Sequence, residues 1–203
     1  MIAIINYNMG NLRSVEKAFK RIDEPCIVTN DHETISNADR ILLPGVGHFK
    51  NGMAELEKSG LIPLIKGLAF ERKKPFLGIC LGMQLLSNFS EEGSTKGLSF
   101  IDSETKKFPD LGHLKVPHIG WNTLDQNITH PLFDGISTDK QFYFVHSYYV
   151  ESTNSDNVLT ETEYGIRFTS SMVRENIIGV QFHPEKSHSQ GLRLLKNFAS
   201  FNV

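Results

Sequence analysis

Short apolar runs alternate with amphipathic stretches through the first part of the chain. Apolar residues in short uninterrupted runs predict strands at 2–5, 26–28, 41–43 and 75–80. Apolar residues at helical spacing predict helices at 12–22, within 53–70, and at 81–86. We expect the strands at 26–28 and 41–43 to be buried and the 53–70 helix to be interrupted near Gly60 and Pro63. Because parallel strands need a long crossover that a helix usually provides, this half predicts a mostly parallel sheet with flanking helices.

The second half has a different pattern. Its apolar clusters are shorter and rich in aromatic and β-branched residues, at 142–150, 166–173 and 177–182. They indicate a more antiparallel region. At 189–201, Leu192, Leu195 and Phe198 share one face and predict a closing helix. Since no repeat or linker divides the chain, we predict one α/β domain over residues 1–203.

Charge and hydropathy exclude several functional classes. With a net charge of -2, the chain has no excess of positive charge to neutralise nucleic acid or an anionic membrane surface. No apolar run approaches the roughly 20 residues that a membrane span requires. Met1–Asn6 lacks the features of a secretory signal, and two cysteines do not form the disulfide framework of a small secreted domain. We therefore expect a cytoplasmic protein.

The segment Gly78-Ile79-Cys80-Leu81-Gly82 has the form of a nucleophile elbow, a sharp turn from strand to helix. Such a turn exposes the thiol in a cleft, and the free N–H groups of the following helix favour a thiolate. The alternative is a small buried cysteine that ends a core strand. Cys26 lacks the flanking glycines and is assigned to packing. Two separated cysteines without a CxxC motif predict no metal site.

A nucleophilic cysteine requires a base, and His183 is the strongest candidate among eight histidines. It follows an apolar strand and precedes Pro184 and Glu185, so a proline-constrained turn would bring the carboxylate to the imidazole. In isolation, His183 would be a strand-capping histidine and Glu185 a solvated charge. The rivals His118 and His146 have no carboxylate two residues on. Cys80, His183 and Glu185 are therefore the predicted catalytic triad.

The paired motifs Gly78–Gln84 and His183-Pro184-Glu185 resemble those of the class I, or triad, glutamine amidotransferases. Within that family the likeness is closest to the glutaminase subunits of imidazole glycerol phosphate synthase, through motifs spread over nearly the whole chain: Met9–Ser14, Pro44–Gly47, Val116–Asn122 and His183–Ser187. The resemblance implies that Cys80 attacks the side-chain amide of glutamine. Ammonia is then released and the glutamyl thioester is hydrolysed to glutamate.

The same resemblance implies roles for residues around the triad. The segment Gly45-Val46-Gly47 and the N–H of Leu81 would form the oxyanion hole, after a reorientation of Val46. The amino-acid part of glutamine would be held by Gln84, Ser147 and Tyr148, each of which could otherwise be an ordinary packing residue. No cofactor and no metal are implied.

A partner is also implied by the resemblance. Asn11, Arg13, Trp121 and Lys186 would dock a (β/α)8-barrel cyclase subunit in a heterodimer, and ammonia would pass through the interface. The cyclase makes imidazole glycerol phosphate and AICAR in histidine biosynthesis. Otherwise these four are plain surface residues.

Several alternatives stay open from the residues alone. Asn6 and Asn8 stand where the family is expected to carry aspartate and glycine. This departure keeps open a related branch that donates ammonia to amidinating enzymes of bacterial surface-sugar synthesis. Two further alternatives are a catalytically silent regulatory or binding subunit and a cysteine peptidase of similar architecture.

Overall fold

In the computed structural model, which describes residues 1–201, strands and helices alternate through the first part of the chain. The strands are β1 Ile2–Ile5, β2 Cys26–Thr29, β3 Arg40–Gly45 and β4 Phe76–Cys80. The helices are α1 Leu12–Arg21, α2 His32–Asn37, α3 Phe49–Lys58, α4 Ile62–Phe70 and α5 Leu81–Leu85. The expected break near Gly60 separates α3 from α4. Pro63 lies within the first turn of α4, where a missing N–H costs nothing.

The remaining described residues form short strands and one long helix. The strands are β5 Phe89–Ser90, β6 Thr95–Lys96, β7 Ser103–Lys107, β8 His118–Thr123, β9 Asp125–Gln126, β10 Gln141–His146, β11 Tyr148–Ser152, β12 Val158–Glu163, β13 Arg167–Arg174 and β14 Ile177–Val180. Helix α6 spans His188–Ser200, close to the predicted closing helix. Three 3-10 turns lie at Pro131–Phe133, Ser155–Asn157 and Pro184–Lys186.

A single large sheet organises these elements. Its parallel part has the order β2-β1-β3-β4-β14, and it continues through β13, β11, β7, β5 and β6, while β12 pairs with β13 and β9 pairs with β12. Strand β14 is parallel to β4 but antiparallel to β13, so it joins the two halves of the chain. Strands β8 and β10 form a separate antiparallel pair. The predicted α/β class is confirmed, with a parallel region followed by an antiparallel one.

One local prediction was wrong. Strand β2 is only partly buried, and Ile27 is 37% exposed, because β2 forms the outer edge of the parallel sheet. The apolar cluster 142–150 is not one strand, since the chain leaves β10 at His146 and enters β11 at Tyr148 in the other sheet. Ser147 is the residue between them.

Alternate residues of the central strands supply two separate cores. One face buries Ile5, Leu43 and Phe76 against α2, α3 and α4. The other face buries Ile4 and Leu77 against α1, α6 and the β8–β10 pair. The two-residue period of each strand therefore places helices on both faces of the parallel sheet.

The end of β4 is the tightest part of the fold. Cys80 has φ 54°, in the left-handed region that side chains rarely adopt. A Cβ on Gly82 would lie 1.9 Å from the Leu43 carbonyl oxygen, and one on Gly78 would lie 2.6 Å from the Gly82 carbonyl oxygen. The two glycines flanking Cys80 therefore let β3, β4 and α5 meet at backbone contact, as the elbow motif predicts.

We expect Gly82→Ala to lower the free energy of unfolding by about 3 kcal/mol or more, because the added methyl group meets backbone that must move. Urea unfolding followed by circular dichroism measures the change. Gly67→Ala in α4 is the matched control, since its Cβ would meet nothing closer than the flexible Glu71 carboxylate at 3.9 Å. That control should gain about 0.5–1 kcal/mol. Equal losses in both variants would contradict the steric account.

Candidate active site

Cys80 lies at the carboxyl end of β4 and opens into a cavity of about 260 Å³. The cavity lies between the end of the parallel sheet, the segment after β3, and the joint between β10 and β11. Its lining includes residues from each of these parts: Val46, Gly47, Cys80, Leu81, Gln84, Glu92, Pro117, Val145, His146, Ser147, Tyr148 and His183. Most of the predicted site residues therefore share one cleft.

His183 and Glu185 are brought together by the turn that follows β14. The imidazole Nδ1 lies 2.8 Å from Glu185 Oε1, and the two side chains are 2% and 1% exposed. Pro184 starts the 3-10 turn that folds the carboxylate back onto the ring. The backbone N–H of His183 donates to the Tyr143 carbonyl at 2.9 Å, which holds the start of this turn against β10.

The electrostatics of the site favour a charged imidazole. Burial alone lowers the pKa of His183, but negative charge on Cys80 and then the Glu185 carboxylate raise it to about 10. Because Nδ1 faces the carboxylate, Nε2 is the nitrogen that faces the cleft. Among residues 1–201, Nε2 of His183 is buried and has no hydrogen-bond partner. It is therefore available to the thiol or to a substrate.

The predicted oxyanion segment lies beside the thiol. Gly45 pairs in register with Cys80, and a Cβ on it would lie 2.7 Å from the Tyr7 hydroxyl oxygen. The Tyr7 hydroxyl donates to the Pro44 carbonyl at 2.7 Å and so holds this segment in place. Val46 and Gly47 line the cavity, whereas Gly45 does not, and its lack of a side chain permits the close approach of Tyr7 and α5.

Two residues at the site were missed in the sequence. Glu92 lines the cavity, and its Oε2 accepts from the Phe49 N–H at the start of α3 at 2.7 Å. Gln181 is fully buried, and its Nε2 lies 3.7 Å from Cys80 Sγ. Gln181 is a polar residue between the apolar Val180 and Phe182, but its partner Cys80 is 101 residues away, so no local signal in the sequence indicates the contact.

The two rival histidines form a pair of their own. His118 and His146 are opposite each other across β8 and β10, and His118 Nδ1 lies 3.0 Å from His146 Nε2. His146 Nδ1 donates to the Tyr148 carbonyl at 2.8 Å. Burial lowers the pKa of His118 to about 4 and that of His146 to about 3. His146 lines the cavity but has both nitrogens engaged, so it is poorly suited to act as a base.

The predicted docking residues lie on neighbouring elements. Trp121 is 40% exposed, its ring centroid is 5.7 Å from that of Tyr143, and Lys186 Nζ lies 5.6 Å from the Tyr143 centroid. Asn11 is exposed and caps α1 by accepting from the Ser14 N–H, and Arg13 is exposed in the first turn. Helix α1 in turn contacts the Pro184–Lys186 turn.

Within residues 1–201 there is no group of three or more His, Cys, Asp or Glu side chains placed to hold a metal ion. Over the same residues, none of the helices combines the length and apolar character needed to cross a membrane.

Comparisons with known proteins place the whole chain in context. A model of the class-I glutamine amidotransferase family matches residues 3–200. The imidazole glycerol phosphate synthase subunit HisH 2 of Methanococcus maripaludis is 49% identical over 198 residues, which cover 98% of each chain. The subunit HisH of Acinetobacter baylyi is 45% identical over 204 residues, covering 100% of this chain and 98% of that one.

Solved structures show the same fold at low identity. One described as a crystal structure of glutamine amidotransferase has a TM-score of 0.76 at 14% identity, covering 99% of this chain and 100% of that chain. A chain of PurLQS from Thermotoga maritima has a TM-score of 0.74 at 16% identity, with coverages of 98% and 97%.

The neutral histidine pair predicts a loss of stability in acid. The folded pKa values of His118 and His146 lie below the usual 6.5, so between about pH 6.5 and 4 the unfolded chain binds more protons than the folded chain. The free energy of unfolding should therefore fall with falling pH, by about 1.4 kcal/mol per pH unit for each histidine. Urea unfolding at several pH values measures this slope. The double variant His118→Leu, His146→Leu should have a flatter slope, and an unchanged slope would contradict the assignment.

Proposed function

The chain belongs to the class-I glutamine amidotransferase family, and on that premise we propose that it is the glutaminase subunit of imidazole glycerol phosphate synthase in histidine biosynthesis. The observation that carries the proposal is the arrangement in one cavity of a cysteine at a strained elbow and a buried His–Glu pair. In this proposal residues 1–203 act as one glutaminase domain in the cytoplasm.

The proposed reaction has two halves. The Cys80 thiolate attacks the side-chain amide carbon of glutamine, and His183 gives its proton to the departing nitrogen, which leaves as ammonia. A water molecule then gives a proton to His183 and attacks the glutamyl thioester, so glutamate leaves and the thiolate returns. Glu185 keeps the Nδ1 proton of His183 in place and stabilises the imidazolium in both halves.

The cavity supplies the other groups that the reaction requires. The N–H groups of Val46 or Gly47 and of Leu81 would stabilise the oxyanion, with Val46 turning toward it. Gln84 donates from Nε2 to the Tyr148 carbonyl and to Gln181 Oε1, both at 3.0 Å. Both Nε2 hydrogens are thereby used, so Gln84 offers its oxygen to the substrate.

The amino-acid end of glutamine carries both charges of a zwitterion. Glu92 places a carboxylate in the cavity lining, where it can pair with the α-ammonium group. Ser147 and Tyr148 also line the cavity, at the joint between β10 and β11. We assign these two residues to the glutamine backbone.

A partner follows from the chemistry. In neutral water ammonia is mostly protonated, and ammonium is not a nucleophile, so a sealed route to the acceptor is required. We infer that a (β/α)8-barrel cyclase covers the surface around Trp121, Lys186, Asn11 and Arg13 in a heterodimer. The exposed Ile119, next to Trp121 on β8, adds apolar area to this surface.

We expect Cys80→Ala to abolish glutamine hydrolysis and to leave the chain folded. Glu185→Gln should lower kcat/KM by about 10²–10⁴-fold, since the amide can no longer act as the anionic partner of His183. Ammonia release in the presence of the cyclase and its nucleotide substrate measures both effects. Cys26→Ala is the control for removal of a thiol and should retain full activity. Full activity of Cys80→Ala would refute the triad.

We expect Trp121→Ala to weaken the complex with the cyclase by at least about tenfold in Kd, because buried aromatic residues dominate most interfaces. Isothermal titration calorimetry measures the affinity. Ile27→Ala is the matched control, since Ile27 is 37% exposed on the far edge strand, compared with 40% for Trp121. Equal affinities of the two variants for the cyclase would contradict the placement of Trp121 in the docking surface.

A pull-down from the source cell identifies the acceptor. Recovery of the barrel cyclase supports the histidine pathway. Recovery of an amidinating sugar enzyme instead would replace the cyclase as acceptor and would leave the triad unaffected. Absence of glutamine turnover with any recovered partner would favour the silent regulatory subunit.

A further inference from the structure

A side chain outside the triad, that of Gln181, also contacts the nucleophile. Its side chain is fully buried, and Nε2 lies 3.7 Å from Cys80 Sγ. Gln181 directly follows the last residue of β14, in the bend that leads to His183, and the end of β14 lies beside the end of β4, which carries Cys80. The backbone is held there because the Gln181 N–H donates to the Ser170 carbonyl at 2.9 Å.

A backbone carbonyl determines which end of the Gln181 amide faces the sulfur. The Tyr148 carbonyl can only accept, so the Gln84 group at 3.0 Å from it is the NH2. The same NH2 lies 3.0 Å from the other amide, so Gln181 turns its oxygen to Gln84. The NH2 of Gln181 therefore faces Cys80 Sγ. The Tyr148 carbonyl also accepts from His146 Nδ1 at 2.8 Å. The hydrogen bonds therefore form one connected network from His146 through Gln84 and Gln181 to the sulfur.

The identity of the acceptor decides what this contact does. Among residues 1–201, Cys80 Sγ is the only hydrogen-bond partner of Gln181 Nε2. A thiol sulfur is a weak acceptor, and a buried amide N–H without a good acceptor is costly. A thiolate accepts strongly. The buried amide is thus poorly satisfied when Cys80 is a thiol and well satisfied when it is a thiolate.

We propose that Gln181 is a further catalytic residue, whose side-chain N–H donates a hydrogen bond to the Cys80 thiolate and stabilises it. This role rests on the glutaminase chemistry proposed above. Gln181 carries no charge and transfers no proton, so it can stay on the sulfur while His183 moves its proton to the leaving nitrogen. It acts again in the second half of the reaction, when sulfur leaves the thioester as a thiolate.

The test measures the thiol itself, in full-length chain carrying Cys26→Ala so that Cys80 is the single thiol. Alkylation by iodoacetamide is followed from about pH 5 to about pH 10, since only the thiolate reacts. Gln181→Met keeps the length of the side chain and removes the donor. The apparent pKa of alkylation should rise by about one unit, and the rate below that pKa should fall about tenfold. Gln181→Glu, which places an oxygen at the sulfur, should raise the apparent pKa of alkylation further.

Asn176→Leu is the matched control for loss of a buried amide. Asn176 precedes β14 at its other end and donates to the Ala69 and Lys74 carbonyls, each at 2.8 Å. This variant should lose stability and keep the alkylation profile. An unchanged profile in folded Gln181→Met would overturn the proposal, as would an equal shift in Asn176→Leu.

A second measurement needs no substitution of Gln181. In the ¹⁵N-labelled protein, the side-chain amide protons of Gln181 should shift with the titration of Cys80, and Cys80→Ala should abolish that shift. If the chemical shifts of these amide protons do not change as Cys80 titrates, the proposal is overturned, even if the variants fail to fold. Alkylation requires no glutamine, so its apparent pKa tests the contact between Gln181 and Cys80 separately from glutaminase activity. A chain without glutaminase activity can still show the predicted change in this pKa, and an active chain can fail to show it.

Discussion

The site depends on one steric constraint, the backbone contact between the end of β3 and the start of α5. The Leu43 carbonyl oxygen would lie 1.9 Å from a Cβ on Gly82, so only a glycine permits this approach. The contact holds Cys80 at φ 54°, a conformation that isolated chain disfavours by about 1–3 kcal/mol. The two packed cores on either face of the sheet oppose relaxation of this strain. The thiol is therefore presented at the cavity by the fold as a whole.

Partners, and not burial, account for the difference in charge between His183 and the other two buried histidines of this region. His183, His118 and His146 are all nearly inaccessible to solvent. His183 faces a carboxylate and a sulfur, and its pKa is raised, whereas His118 and His146 face each other and a carbonyl, and their pKa values are lowered. A cationic acid and a neutral pair thus lie within one low-dielectric region. This separation leaves His183 as the histidine suited to proton transfer.

The sequence predicted those features whose cause is local. The strand-helix alternation, the glycines around Cys80 and the Pro184 turn each depend on neighbouring residues, so the parallel half and the grouping of Cys80, His183 and Glu185 could be anticipated. The exposure of β2 and the division at Ser147 depend on which strands become neighbours. The same holds for Glu92 and Gln181, whose partners lie 43 and 101 residues away in sequence. A local pattern in the sequence does not show which residues far apart in the chain come into contact in the fold.

The small β8–β10 sheet has a mechanical consequence for the cleft. The Tyr143 backbone in β10 accepts from the His183 N–H at 2.9 Å and donates to Ser187 Oγ at 3.0 Å, so both ends of the turn that carries Glu185 are fastened to this sheet. Cys80 ends β4 of the large sheet, and His183 follows β14, the strand beside it. The nucleophile and its acid–base partner are therefore carried by adjacent strands of one sheet, and β10 fastens the turn that holds the imidazole from outside that sheet. Two attachment points on a second sheet limit how far the imidazole can move away from the sulfur.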